Sequence, residues 1–268
     1  MLNVSIVLYR PDWQQVSDLT AVLLSSERVR TVYWVDNSPN RTTELPMQSK
    51  RIHYTHNTRN LGYGAAHNIA IRQSIYDDIP FHLVLNPDII LDIDALHTML
   101  DFIADNPQVG SLMPKVIYPS GEMQRLCKLL PTPCDVFARR FLPKAWTKKR
   151  NQKYEMHDSG YDKMMNIPYL SGCFMLLRTT AVQQAKLFDE RFFMYPEDID
   201  LTRRIHRNYL TVYFPYATII HNHAKQSYKS AKMLWVHAVN MCKYFNKWGW
   251  IFDAERKLFN DTAIREYL

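Results

Sequence analysis

Three acids stand within four residues at Glu197, Asp198 and Asp200, followed at once by Arg203 and Arg204. A carboxylate aimed into a cleft is a common means of taking a proton from an attacking hydroxyl. Part of the run has a structural account. Pro196 suits the first position of a helix, acids suit its first turn, and Asp200 has arginines three and four residues on. Those pairs still leave at least one carboxylate without a partner along the helix.

Three other clusters could act on a ligand. Asn86-Pro87-Asp88 follows the apolar run Phe81–Leu85. A carboxylate there can hold a divalent cation against a diphosphate, because Mg2+ and Mn2+ prefer oxygen ligands and commonly combine one or two carboxylates with substrate phosphates. Asp36-Asn37-Ser38 ends the run Thr31–Val35. Ligands of open α/β sheets bind at such strand ends, although the same residue types also make a plain turn. In Asn60–Asn68 (NLGYGAAHN) the small residues allow a backbone to approach a phosphate or nucleoside at a helix start. The dinucleotide fingerprint fails there, since His67 stands at the third glycine position.

The elements that must position these clusters alternate. Val4–Tyr9, Thr31–Val35, Ile52–Thr55 and Phe81–Leu85 read as strands, and Trp13–Leu24, Gly64–Tyr76 and Leu96–Ala104 as helices. Continuous apolar strands alternating with helices predict a mostly parallel sheet covered on both faces. Residues 124–165 read as a basic, irregular excursion containing Arg139, Arg140, Lys144, Lys148, Lys149, Arg150 and Lys153. Regular structure is expected again at Tyr169–Arg178, Thr180–Lys186, Pro196–Asn208, Thr211–Phe214 and Thr218–His221. Leu234, Ala238, Met241, Phe245 and Trp248 recur on one helical face.

Composition narrows the class. The chain has 268 residues, 47% hydrophobic and 22% charged, which is the balance of a folded globular protein. The net charge is +7, which suits nucleic acid, anionic membrane or phosphate-bearing substrates. Cys127, Cys134, Cys173 and Cys242 have no metal-type pair spacing and read as reduced thiols of a cytosolic protein. Neither a signal peptide nor a spanning apolar stretch is visible.

Taken in order, VSIVLY, WVDNS, NLGYGAAHN, LVLNPD, SGCFMLLR, FDERFFMYPEDIDLTRR and ATIIHNHAKQS resemble glycosyltransferase family 2, in particular its bacterial rhamnosyltransferase-like branch. The likeness runs as separated motifs over residues 3–227, and the tail KYFNKWGW is also similar. The resemblance implies a GT-A type α/β fold: a mostly parallel, Rossmann-like sheet flanked by helices over residues 1–225, with a helical C-terminal extension over 226–268. Residues 1–120 would bind the nucleotide sugar and 121–225 the acceptor. It implies that Asp36 contacts the base, and that Asn60, Gly62 and Asn86 line the donor pocket. Asp88 would be the ligand for Mn2+ or Mg2+, with Asn86 standing where the family's Asp-x-Asp element has its first aspartate. Asp198 would be the catalytic base beside Glu197, Gly172 and Asp200 would face the acceptor, and His221 would be a second metal ligand, with His223 as the alternative.

The implied reaction is an inverting transfer from dTDP-rhamnose or a UDP-hexose to a hydroxyl of a surface glycan or a polyprenyl-diphosphate-linked acceptor. Peripheral contact with the inner face of the cytoplasmic membrane, through Lys243, Lys247, Trp248 and Trp250, is a further expectation. Two other classes compete. A nucleotidyltransferase would need a glycine-rich loop after the first strand, where Tyr9-Arg10-Pro11-Asp12 stands. A nucleic-acid-binding protein would gather its positive charge on one recognition element, whereas here it is scattered.

Overall fold

Leu2–Leu8 (β1) is buried at nearly every position, on both faces, as only a strand inside a covered sheet can be. In the computed structural model residues 1–141, 144–222 and 231–268 are described, with side chains described outside 138–145 and 223–232. β1 pairs in parallel with β2 (Val29–Asp36) on one side and β4 (Phe81–Leu85) on the other, and β3 (Ile52–His56) continues in parallel beyond β2. β10 (Phe174–Arg178) lies between β4 and β6 (Val109–Ile117), antiparallel to both. β11 (Leu210–His221) runs parallel to β6, and the short β5 (Ile89–Ile90) and β8 (Met165–Asn166) pair with it antiparallel. The order is β3-β2-β1-β4-β10-β6-β11-β5, with β8 beside β11.

Alternation along β4 shows the two covered faces. Leu83 and Leu85 join a core with α1 (Trp13–Leu24) and α3 (Ile93–Asp105), while Val84 joins another with α2 (Tyr63–Tyr76), α6 (Thr179–Gln184) and α7 (Pro196–His206). Strand directions then gather the functional segments. β1, β2 and β4 are parallel, so Asp36 and Asn86 emerge at one sheet edge. β10 runs against β4, with Phe174 opposite Leu85, so Ser171-Gly172-Cys173 enters at that same edge. β11 is parallel to β6 and ends there at His221.

One region departs from expectation. The stretch expected to be irregular forms β7 (Cys127–Lys128), which pairs with β9 (Tyr169–Leu170), then α4 (Pro133–Phe141) and α5 (Lys144–Tyr154). α5 has almost no apolar stripe, and its Lys, Arg, Gln and Ala residues are helix formers by propensity, so no period announces it. The C-terminal extension is helical, as expected, and consists of two helices, α8 (Ala231–Trp248) and α9 (Ala254–Tyr267). Gly249 separates them at φ +104°, where a Cβ would come within 2.4 Å of the Phe252 carbonyl oxygen.

Candidate active site

Asp198 sits in the first turn of α7, buried, with its carboxylate held by two backbone amides. Gly172 N–H donates to Oδ2 at 2.9 Å and Ile199 N–H to Oδ1 at 2.8 Å. Burial outweighs these bonds and pushes the carboxyl up to about 6. Glu197 beside it is also buried, and its Oε2 has no hydrogen-bond partner. Burial, then the neighbouring Asp198 charge, drives Glu197 well above the usual carboxylate range. The residue before the helix, Tyr195, has φ +94°, a strained conformation that turns the chain sharply into Pro196.

Gly172 is what lets the loop before β10 close on Asp198. A Cβ there would lie 3.1 Å from the Asp198 Cβ. Its amide holds the carboxylate and its carbonyl oxygen lies 2.6 Å from the Tyr63 hydroxyl. That hydroxyl is also 2.9 Å from the end of the Asn86 side chain. Tyr63 thus spans the cleft between the Asn86-Pro87-Asp88 turn and the loop that holds Asp198. Its phenol is driven well above its usual range by burial and then by nearby Cys173, Glu197, Asp198 and Asp88.

At the far side Asp88 faces the end of β11. Asp88 Oδ1 is buried without a hydrogen bond, and His221 Nε2 lies 3.4 Å away. The other ring nitrogen of His221 is 3.0 Å from Gln124 Oε1, and Asn222 N–H donates to the Asp88 carbonyl, so both ends of the pair are fixed. Burial works against charge on His221, but the Asp88 carboxylate and Cys173 beside it raise its pKa to about 10. A buried carboxylate oxygen beside an imidazole nitrogen fits a divalent cation such as Mn2+. Among the described residues no set of three or more His, Cys, Asp and Glu side chains is gathered for a metal, so substrate oxygens would have to complete the shell. His223 lies outside the described residues.

The expected donor residues brace a turn. Asp36 is fully buried, accepting from Ser38 N–H and the Tyr54 hydroxyl, each at 2.8 Å. Asn37 donates to the Gly62 carbonyl, tying that turn to the next one. Asn60 Oδ1 accepts from Gly62 N–H at 2.9 Å. Gly62 has φ +88°, and a Cβ there would come within 2.3 Å of the Phe193 carbonyl oxygen, so only glycine lets this loop meet the segment leading into α7.

Asp200 stands apart from the site. It has no exposed surface and both its oxygens are engaged: Oδ2 by Arg204, Oδ1 by Lys247 and the Trp248 indole N–H. It anchors α8 instead of facing an acceptor. Arg203, expected to pair with Asp200, instead reaches Asp253 and Glu255 and lies 4.0 Å from the Trp248 ring centroid. Lys243 donates to the Arg191 carbonyl and Lys247 also bonds Asp189, so Lys243, Lys247 and Trp248, expected at a membrane, are tied to the body of the protein. Tyr63, Tyr54 and Gln124 were not singled out in the sequence. Tyr63 sits inside a quoted motif, but Gln124 meets a residue 97 positions away, and no local signal marks it.

An α/β sheet that gathers a buried base candidate, a carboxylate–histidine pair and a glycine-rich turn at one edge defines a GT-A glycosyltransferase architecture. The family model for glycosyl transferase family 2 matches residues 19–185, and the chain belongs to that family. It is 29% identical over 243 residues to the N-acetylglucosaminyl-diphospho-decaprenol L-rhamnosyltransferase of Mycobacterium tuberculosis, covering 84% of this chain and 76% of that one. Solved structures share the fold. GalNAc-T7 with UDP, GalNAc and Mn2+ is 11% identical with a TM-score of 0.57, covering 82% of this chain and 43% of that one. The Pyrobaculum calidifontis mannosyltransferase PcManGT with GDP-Man and Mn2+ is 14% identical at 0.57, over 92% and 63%. The chain therefore spans less than two thirds of either structure. No helix among the described residues is long and apolar enough to cross a membrane.

Proposed function

We propose that this glycosyltransferase transfers a sugar, with inversion, from dTDP-rhamnose or a UDP-hexose to a hydroxyl of a polyprenyl-diphosphate-linked or growing surface glycan. The observation that carries the reading is the buried Asp198 carboxylate, held by Gly172 N–H across Tyr63 from the Asp88–His221 pair. The chemistry of the decaprenol-linked relative supports the acceptor class. Neither the nucleotidyltransferase nor the nucleic-acid-binding reading gains support from the relatives.

In this mechanism Asp88 and His221 hold Mn2+ or Mg2+, which when bound supplies Lewis-acid stabilisation of the departing diphosphate. Asp36, Asn60 and Gly62 shape the turns that receive the nucleoside, and Asn86 lines the pocket. Asp198 takes the proton of the acceptor hydroxyl as that oxygen attacks the anomeric carbon from the face opposite the leaving group. Its raised pKa, about 6, suits a base at neutral pH, since the group is ionised yet still holds a proton usefully. Gly172 fixes the carboxylate, so orientation is set before the acceptor arrives.

A lipid-linked acceptor calls for peripheral membrane contact, here assigned to the inner face of the cytoplasmic membrane. The turn between α8 and α9 exposes Ile251 at 79% and Phe252 at 92%, and the Trp250 ring stacks on Phe137 of α4. Exposed Lys148, Lys149 and Lys153 lie on the adjoining α5. Apolar tips beside lysines suit an anionic bilayer. Loss of flotation with anionic liposomes in Phe252→Glu is expected, and unchanged flotation would remove this surface from the reading.

The donor site is tested by calorimetric titration with UDP and with dTDP, each with Mn2+, Mg2+ or chelator, on wild type and Asp88→Asn. Metal-dependent binding of one nucleotide, lost in the variant, is expected. No binding under any condition would sink the donor site.

A further inference from the structure

The Tyr63 hydroxyl has one hydrogen to give and two acceptors within reach of it. The Gly172 carbonyl oxygen, 2.6 Å away, can only accept, so the shorter contact takes that hydrogen. Asn86 Oδ1, 2.9 Å from the phenol oxygen, is then an acceptor left facing an acceptor, and the contact is satisfied only if that position can donate. On an asparagine only the amide nitrogen can, and its nitrogen and oxygen exchange places by a half-turn about the last side-chain bond. The backbone of Asn86 is pinned meanwhile by its N–H bond to the Cys173 carbonyl, so this half-turn is the freedom that remains.

We propose that Asn86 turns its amide nitrogen to Tyr63 and its carbonyl oxygen to the cleft, which makes Tyr63 the positioning residue for a neutral oxygen donor beside Asp88. The arrangement gives a physical reason for asparagine here. An aspartate would set an acceptor-only group against a phenol oxygen whose hydrogen is already committed to Gly172. Only the question of what the freed Asn86 oxygen meets rests on the donor-site reading; the sense of the hydrogen bond stands on the two distances.

The test has two arms. In metal-free, ligand-free protein, Asn86→Asp is expected to lower the thermal unfolding midpoint more when Tyr63 is present than in a Tyr63→Phe background. Repulsion from Asp88 and Asp198 is common to both backgrounds and cancels in the cycle. An equal or smaller loss with Tyr63 present overturns the proposal, because a tyrosine donating toward position 86 would bond a carboxylate more strongly than an amide. In the second arm, Tyr63→Phe is titrated with Mn2+ plus UDP and Mn2+ plus dTDP. Affinity is expected to fall roughly tenfold, as for groups that orient a metal-site ligand. Its unfolding midpoint should drop only about 2–4 °C. Unchanged affinity overturns the positioning role. Failure of the wild type to bind either nucleotide overturns the donor-site reading and leaves the first arm standing. Should Asn86→Asp fold in neither background, the Tyr63→Phe titration decides.

Discussion

Glu197 and Asp198, in the first turn of α7, and Asp200, just beyond them, are all buried, yet the chain treats them in opposite ways. Asp200 meets Arg204, Lys247 and the Trp248 indole, so its charge is offset from both its own helix and α8. Asp198 accepts hydrogen bonds from backbone amides and feels the charge of Lys128, and Glu197 Oε2 has no hydrogen bond. Desolvating a carboxylate disfavours its charged form, and here that cost outweighs the amides and Lys128 and appears as raised pKa values. In the second turn the acid serves the fold. In the first turn the fold keeps the acid unneutralised, the state a base requires.

The largest effect expected from this contrast is at Asp198. Asp198→Asn should lower kcat by roughly 10²–10⁴-fold, the usual contribution of a positioned base, while nucleotide affinity persists. In the wild type, kcat/KM should fall with acidification below about pH 6, as the base becomes protonated. The sign for stability is the reverse of a salt-bridged acid. The folded pKa is raised above 3.8, so this group's contribution is fully present below about 3.8 and is lost as pH rises through about 6. A rate independent of pH between 5 and 8, or full activity in the variant, would remove Asp198 as the base.

Asp200→Ala tests the other half. It leaves Lys247 and Arg204 without their buried partner, a change that commonly costs about 3–5 kcal/mol. The expected outcome is a lowered unfolding midpoint and faster proteolytic cleavage of the α8–α9 extension. A stable variant with lost acceptor affinity would return Asp200 to the acceptor side.

Much of the fold was readable because the strands are buried on both faces and read as unbroken apolar runs; VSIVLY and FHLVL needed no partner to be recognised. α1 matches its expected bounds, Trp13–Leu24, because four buried side chains mark its period. α5 escaped because its residues are polar nearly all round; the extension was expected to be helical, but α9 has no clear apolar stripe to mark it as a second helix. At the site, the acids and glycines announced themselves by type. Which acid stayed free did not, because the answer lies in Lys247 and Trp248, nearly fifty residues downstream. The role of Gly172 in holding Asp198 was equally invisible, since it depends on the antiparallel entry of β10.

The smallest expected effect is at Glu197, and it divides the first turn itself. Burial and the charge of Asp198 hold Glu197 well above the normal carboxylate range, which favours its neutral form. Glutamine has nearly its shape and the same charge. Glu197→Gln should therefore keep kcat within about a factor of three, less than 1 kcal/mol of barrier. Steady-state kinetics of Glu197→Gln and Asp198→Asn side by side make the comparison. Near-equal losses would mean that Glu197 loses its proton during turnover, and that the two carboxyls act as one unit. A small loss in Glu197→Gln alone leaves one base, Asp198, and makes its neighbour part of the wall that keeps water away from it.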